Sequence, residues 1–183
     1  PYRLYGGTQD NGTNRTMTGG LDDWETIYGG DGFYVIVDPT NNNYVYAEYQ
    51  YGGLGRSTNG GNSFMNATSG ISSNDRFNWN CPLVIDPNDP EVLYFGTNKL
   101  YKTTNRAVFW SPISGDLTDG ATPGNLAYNT LTTISVSPVN QQVIYTGADD
   151  GNVHITTDGG TTYTNISDGL PKRWITRVAA DPV

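Results

Sequence analysis

Short runs of alternating apolar and polar residues recur along this chain, and each closes at an Asp-Pro or Ser-Pro step. The runs read YVIVDPTNNNYVYAEYQYGG, PLVIDPNDPEVLYFGTNK and TISVSPVNQQVIYTGADDG, with a last one, RVAADPV, near the C-terminus. A period of two is the mark of a half-buried β-strand. Proline has no backbone donor and fixes its own φ, so it ends ladder pairing where it stands. The prolines fall at 39, 87, 138 and 182, spacings of 48, 51 and 44 residues. A tyrosine follows each of the first three by seven residues, at Tyr46, Tyr94 and Tyr145, and Tyr5 occupies the same place in the N-terminal RLYGGTQDNGT. Each unit parses as four strands. The first, carrying Val84 and Ile85 or Ile134 and Val136, ends at the proline step, and the second bears the tyrosine. A tight Asp/Asn/Gly turn leads to the third strand, and a longer turn leads to the fourth.

That longer turn is itself repeated. STNGGNSF (57–64) and TTDGGTTY (156–163) share one template: hydroxyl, any residue, Asn or Asp, two glycines, any residue, hydroxyl, aromatic. The Asn or Asp can accept hydrogen bonds from nearby backbone N–H groups, the glycines permit positive φ, and the aromatic can pack between sheets. In the middle unit the turn has decayed to TTNRAVFW, which keeps Thr103, Asn105 and Trp110 but has lost both glycines. A scaffold turn tolerates such decay and a catalytic turn does not, so these turns are expected to be structural.

Four-stranded units repeated every 45 residues or so are the signature of β-propeller blades. The expected fold is therefore all-β, a propeller of four-stranded antiparallel blades with about four in this chain. A partial blade covers 1–33, blades lie at about 34–81, 82–132 and 133–173, and residues 174–183 start a next blade or close the first. Composition agrees: glycine and tyrosine are high at 23 and 13, and charged residues are few at 15%. Runs of the strong helix formers are missing. The net charge of −8 argues against a nucleic-acid partner. No apolar run approaches the roughly 18 residues of a membrane-spanning helix. The single cysteine, Cys81, says nothing about redox compartment and reads as a small buried apolar group. The sequons at Asn11, Asn14, Asn66 and Asn165 are no more than a chain this rich in Asn, Ser and Thr produces by chance. PYRLYGG is no signal peptide and lacks an initiator Met, so the chain is expected to be processed or cut.

STNGGNSF and TTDGGTTY, with DP…VIYTG before them, resemble the Asp-box (BNR) repeats of the propellers found in sialidases, sortilin/Vps10-like receptors and xyloglucanase-type glycoside hydrolases. The resemblance covers essentially the whole chain at the level of repeats. It implies six to eight blades, hence further blades in the same parent chain, although a closed ring of four is the alternative. It also implies an extracellular or cell-surface location. Strand 1 would be innermost, with the 2–3 turns and the approaches to strand 1 sharing one face, the face related propellers use for ligands.

That geometry nominates ligand-binding residues. The 2–3 turns offer Gln9, Asp10 and Asn11, then Glu48, Gln50 and Tyr51, Asn98 and Lys99, and Asp149, Asp150 and Asn152. The approaches offer Asp31, Trp79, Thr130 and Trp174, each seven residues before the Asp-Pro aspartate or its equivalent, flanked by Arg76, Asn78, Asn80 and Arg173. Tryptophan faces suit pyranose rings and amides or carboxylates suit hydroxyls, so a glycan or a protein partner is expected. Trp79 and Trp174 fit equally as plugs between blades, and Asp10 and Asp150 fit ordinary hairpin turns.

A glycosidase needs two carboxylates, about 5–5.5 Å apart for retention or 6.5–9.5 Å for inversion. The candidates are Asp150, which precedes Gly151 as the xyloglucanase resemblance implies, together with Asp10 and Asp31. Sialidase chemistry fits poorly, because the seven arginines are scattered and no RIP-like entry motif is present. A binding module is thus the leading reading, a polysaccharide hydrolase the second and a structural surface protein the third. His154 reads as a satisfied sheet residue. No Cys/His metal cluster or cofactor motif is present, and calcium is conceivable only at ADDGN or DPNDPE, where oxygen ligands are dense.

Overall fold

The computed structural model describes residues 2–121 and 128–182, and contains strands and no helix among them. Fifteen strands form four antiparallel sheets. The first holds β1 (Leu4–Thr8), β2 (Gly12–Thr16) and β3 (Glu25–Tyr28), and the second holds β4 (Val35–Val37), β5 (Val45–Tyr49), β6 (Gly53–Ser57) and β7 (Met65–Asn66). The third holds β8 (Leu83–Ile85), β9 (Leu93–Gly96), β10 (Leu100–Thr103) and β11 (Ser111–Pro112). The fourth holds β12 (Leu131–Val136), β13 (Ile144–Ala148), β14 (Val153–Thr156) and β15 (Thr164–Asn165). In each, neighbours in sequence are neighbours in the sheet.

The repeat fixes the register. Ile36, Val84 and Ser135 stand opposite Tyr46, Tyr94 and Tyr145, three residues before each proline. Strand 1 stops just before Asp38, Asp86 and Ser137, whose side chains turn back to bond the amides of Thr40, Asn88 and Val139. Strand 4 is shorter than its pattern suggests. It begins one residue after the aromatic and spans two residues in β7, β11 and β15. The C-terminal RVAADPV, read as a strand, carries none over 174–182.

The chain divides into two compact units, Pro1–Thr68 and Ser69–Val183, each built on two sheets. In the first unit, Tyr28 of β3 packs on Phe64 at 4.8 Å and on Tyr49 at 5.5 Å between ring centroids. The buried Arg15 of β2 donates to Gly60 O and Asn62 Oδ1 across to the second sheet and pairs with Glu25. In the second unit an apolar core fills the space between the two sheets: Val92, Tyr94 and Leu100 from one, Leu131, Ile134, Val136, Ile144 and Ala148 from the other. Tyr163, the aromatic of TTDGGTTY, packs against it.

All three long turns follow one hydrogen-bond plan. The first hydroxyl bonds the third residue's side chain and accepts the fifth residue's amide: Ser57 with Asn59 and Gly61, Thr103 with Asn105 and Ala107, Thr156 with Asp158 and Gly160. The third side chain then accepts the seventh amide, from Ser63, Phe109 and Thr162. Gly60, Gly61, Gly159 and Gly160 all have positive φ. Where the glycines are lost the backbone does not change: Arg106 (φ 56°) and Ala107 (φ 58°) hold the same left-handed conformation. The first sheet has a fourth version that its sequence disguises. Thr16 Oγ1 accepts the Gly19 amide and donates to Asp23 Oδ1, an acceptor brought from seven residues downstream, and Trp24 follows.

Candidate functional site

In each unit the 2–3 turns and the approaches to strand 1 meet at one end. A repeated device joins them. The residue four after the strand-2 tyrosine uses a side-chain oxygen to hold a backbone amide of the approach: Gln50 Oε1 accepts from Asp31 N (2.8 Å), Asn98 Oδ1 from Arg76 N (3.0 Å), and Asp149 from Tyr128 N (2.7 Å) and Thr130 N (3.0 Å). Backbone amides withdrawn from water need partners, and these side chains supply them. Gln9 holds the same place in the first sheet and is exposed, and among the described residues its side chain makes no such bond.

In the first unit the nominated residues come together. Asp10, at the tip of the β1–β2 turn with φ 67°, donates its amide to Asp31 Oδ1 at 2.7 Å. Asp31 is 8% exposed and in turn reaches Gln50. The YGGDG segment (28–32) explains the placement. A side chain at Gly32 would collide with the Gly12 carbonyl, and one at Gly7 with the Phe33 carbonyl. Only glycine lets this loop lie on the β1–β2 hairpin and deliver Asp31 to Asp10. Asp10 itself, with Gln9 and Asn11, is exposed, and among the described residues its carboxylate accepts no hydrogen bond. Tyr51, in the next turn, is 51% exposed at φ 57°.

The second unit uses its acids differently. Asp149 is buried and occupied by Thr130 and Tyr128. Burial pushes its carboxyl above the usual range, opposed by those backbone bonds. Asp150, 8% exposed, accepts the Asp119 amide at 2.6 Å and the Asn152 amide at 3.0 Å. Asp119, which the pattern of the chain did not single out, bonds Lys172 Nζ (2.6 Å) and Asn152 Nδ2 (2.9 Å), and both hold its carboxyl below the usual range. A Cβ at Gly151 would press on the backbone of Lys172 and Arg173. Arg76 is spent as a latch to Asn129 O, Asp116 and Thr118. The buried Asn78 holds Thr130 Oγ1. Asn80 is exposed, Trp79 is half-buried, and Arg173 and Trp174 are exposed, Trp174 by 46%. Asp149 and Asp150 each accept two backbone amides, and for Asp150 this is the hairpin role the sequence also allowed. One reading is corrected. His154 is not fully satisfied, since its Nδ1 is buried without a hydrogen-bond partner, and burial holds its pKa below the usual value.

Among the described residues no three His, Cys, Asp or Glu side chains converge. In DPNDPE the acids turn inward on their own loop, Asp86 to Asn88 N and Asp89 to Glu91 N. Cys81 is fully buried, as a small apolar group should be.

No family model matches the chain. Against solved structures it superposes on the GH74 xyloglucanase of Xanthomonas campestris with a TM-score of 0.65 at 15% identity, over 90% of this chain and 28% of that one. The fold is that of a β-propeller. At that identity the likeness speaks for the fold alone. In sequence, the chain is 32% identical over 163 residues to a xyloglucanase from Hypocrea jecorina, covering 79% of this chain and 19% of the relative. It is 28% identical over 147 residues to an oligoxyloglucan-reducing end-specific xyloglucanase from Emericella nidulans, covering 75% and 18%. The chain therefore spans about a fifth of the length of the curated relatives it matches.

Proposed function

We propose that this chain is an arc of an Asp-box propeller that recognises a polysaccharide of the xyloglucan class through the turn Gln9–Asp10–Asn11 and its neighbours. The observation that carries this reading is the contrast among the three candidate acids. Asp31 and Asp150 are buried and bonded to backbone amides, whereas Asp10 presents an exposed carboxylate with no hydrogen bond. Flanked by the amides of Gln9 and Asn11, it offers acceptors and donors to sugar hydroxyls. The two xyloglucanase relatives supply the substrate class. A polymer of that kind does not cross membranes, so we place the protein outside the cell or at its surface.

A second reading, hydrolysis, is favoured by one contact. The Asp10 backbone amide donates to the Asp31 carboxylate, which brings these two acidic residues to the same end of the first unit. The experiment is titration of the chain with xyloglucan, alongside a reducing-end assay, for the parent and for Asp10→Asn and Asp31→Asn. Recognition predicts saturable binding without turnover, weakened about tenfold by Asp10→Asn for the loss of a charge-assisted hydrogen bond. Reducing-end release abolished by either substitution would replace recognition with hydrolysis. Absence of both binding and release would remove the glycan reading.

A further inference from the structure

The four sequons are equal in the chain and unequal in the fold. An asparagine carries an N-linked glycan on its side-chain nitrogen, with the Ser or Thr hydroxyl two residues on beside it, and the folded protein must leave that nitrogen in solvent. Asn14 does not meet this condition. Its Nδ2 donates to Thr8 Oγ1, Asn11 O and Gly12 O on the β1–β2 hairpin, and the Thr16 hydroxyl is buried and donates to Asp23. Asn11 is exposed, but its Nδ2 turns back to Gln9 O at 3.2 Å and Thr13 Oγ1 is buried. Asn165 is exposed, but its Nδ2 donates to Asn152 Oδ1 at 2.9 Å, and the Ser167 hydroxyl is taken up by Val153.

Asn66 is different. It lies on β7, the outermost strand of the second sheet, opposite Gly55 of β6. The middle residue of the sequon, Ala67, is 3% exposed and donates its amide to Leu54 O at 2.9 Å, while Asn66 beside it is exposed. Asn66 Oδ1 accepts both the Thr68 hydroxyl at 2.8 Å and the Thr68 amide at 3.1 Å, a closed Asx turn. A backbone N–H can only donate, so the atom facing Thr68 is the oxygen. The nitrogen is the other arm of the planar amide, and among the described residues it makes no hydrogen bond.

We propose that Asn66 is an N-glycosylation site, the one acceptor of the four that this fold leaves open. The proposal rests on the extracellular placement above, because only an exported chain meets the transfer machinery. The donor is an oligosaccharide joined through its anomeric carbon to a lipid pyrophosphate. Asn66 Nδ2 attacks that carbon. The C1–N bond forms, the C1–O bond to phosphate breaks, the lipid pyrophosphate leaves with the electron pair, and one Nδ2 proton is lost to solvent. The glycan would then stand on a two-residue outer strand and cover an edge that would otherwise invite pairing.

The test is secretion of the whole chain from a eukaryotic host behind a cleavable leader. Release of glycans by an amidase in heavy-oxygen water turns each glycosylated asparagine into a labelled aspartate, which peptide mass spectrometry locates. The label at Asn66 should exceed that at Asn11, Asn14 and Asn165, survive Thr68→Ser and vanish in Thr68→Ala. Asn66→Asp keeps the oxygen that Thr68 bonds and removes the nitrogen. It should be secreted as well as the parent and lack that glycan, which separates loss of the acceptor from loss of the fold. No label at Asn66, or no more there than at Asn14 or Asn165, overturns the proposal. Because the leader imposes export, such a failure falls on Asn66 and not on the extracellular placement.

Discussion

At the scale of single residues, the long turns show which parts of a repeated motif the physics needs. The acceptor at the third position and the hydroxyl at the first are present in all three, because together they satisfy the amides of a reversed backbone. The glycines are dispensable but not free. A left-handed conformation costs an L-residue about 1–2 kcal/mol, and Arg106 bears that cost while its guanidinium pairs with Glu91 (2.7 Å) near the surface, a kind of pair worth about 0–1 kcal/mol. Arg106→Gly should therefore stabilise the chain by about 1 kcal/mol, read as a higher urea midpoint. Asp158 differs from Asn59 and Asn105 in carrying charge. Hydrogen bonds from the Thr162 hydroxyl and amide, and from Thr156, lower its pKa from 3.8 to about 2. The folded value lies below the unfolded one, so its contribution is complete above about pH 4 and is lost as pH falls toward 2. The urea-midpoint difference between the parent and Asp158→Asn should be constant above that window and change within it. A difference independent of pH down to 2 would refute this assignment.

At the scale of elements, the propeller repeat does two jobs with one spacing. It places an apolar strand against a tyrosine strand, and it puts a side-chain oxygen four residues after the tyrosine to secure the next approach segment. This offset was legible in the chain, since Gln9, Gln50, Asn98 and Asp149 share it, but the residue types alone suggested ligands. Which of them stay available depends on whether an approach segment needs fastening, and that is a property of neighbouring elements. The YGGDG loop makes the point testable. In Gly32→Ala the new Cβ meets the Gly12 carbonyl, so the loop must move away from the hairpin and the Asp31–Asp10 contact must open. We expect Gly32→Ala to weaken xyloglucan binding at least as much as Asp10→Asn while the far-ultraviolet spectrum stays that of the parent. Unchanged affinity would mean the Asp31 support is irrelevant to recognition.

At the scale of the whole molecule, a net charge of −8 with few charged side chains fits a neutral ligand better than a polyanion. Binding to neutral xyloglucan should therefore be nearly independent of salt between 50 and 500 mM, values spanning Debye lengths from about 14 to 4 Å. A steep loss of affinity across that range, measured by titration calorimetry, would point to an anionic or cationic ligand instead. The all-β fold and the order of strands within each sheet were legible in the sequence alone, because alternation, proline steps and turn residues act locally and repeat. The fates of Asp10, Asp31, Asp149 and Asp150 were not. Four chemically identical carboxylates differ in which backbone amides lie within reach, and tertiary packing decides that. The turn built on Thr16 and Asp23 escaped for the same reason: its acceptor arrives from outside the template, by a fold of the loop that no fixed spacing records.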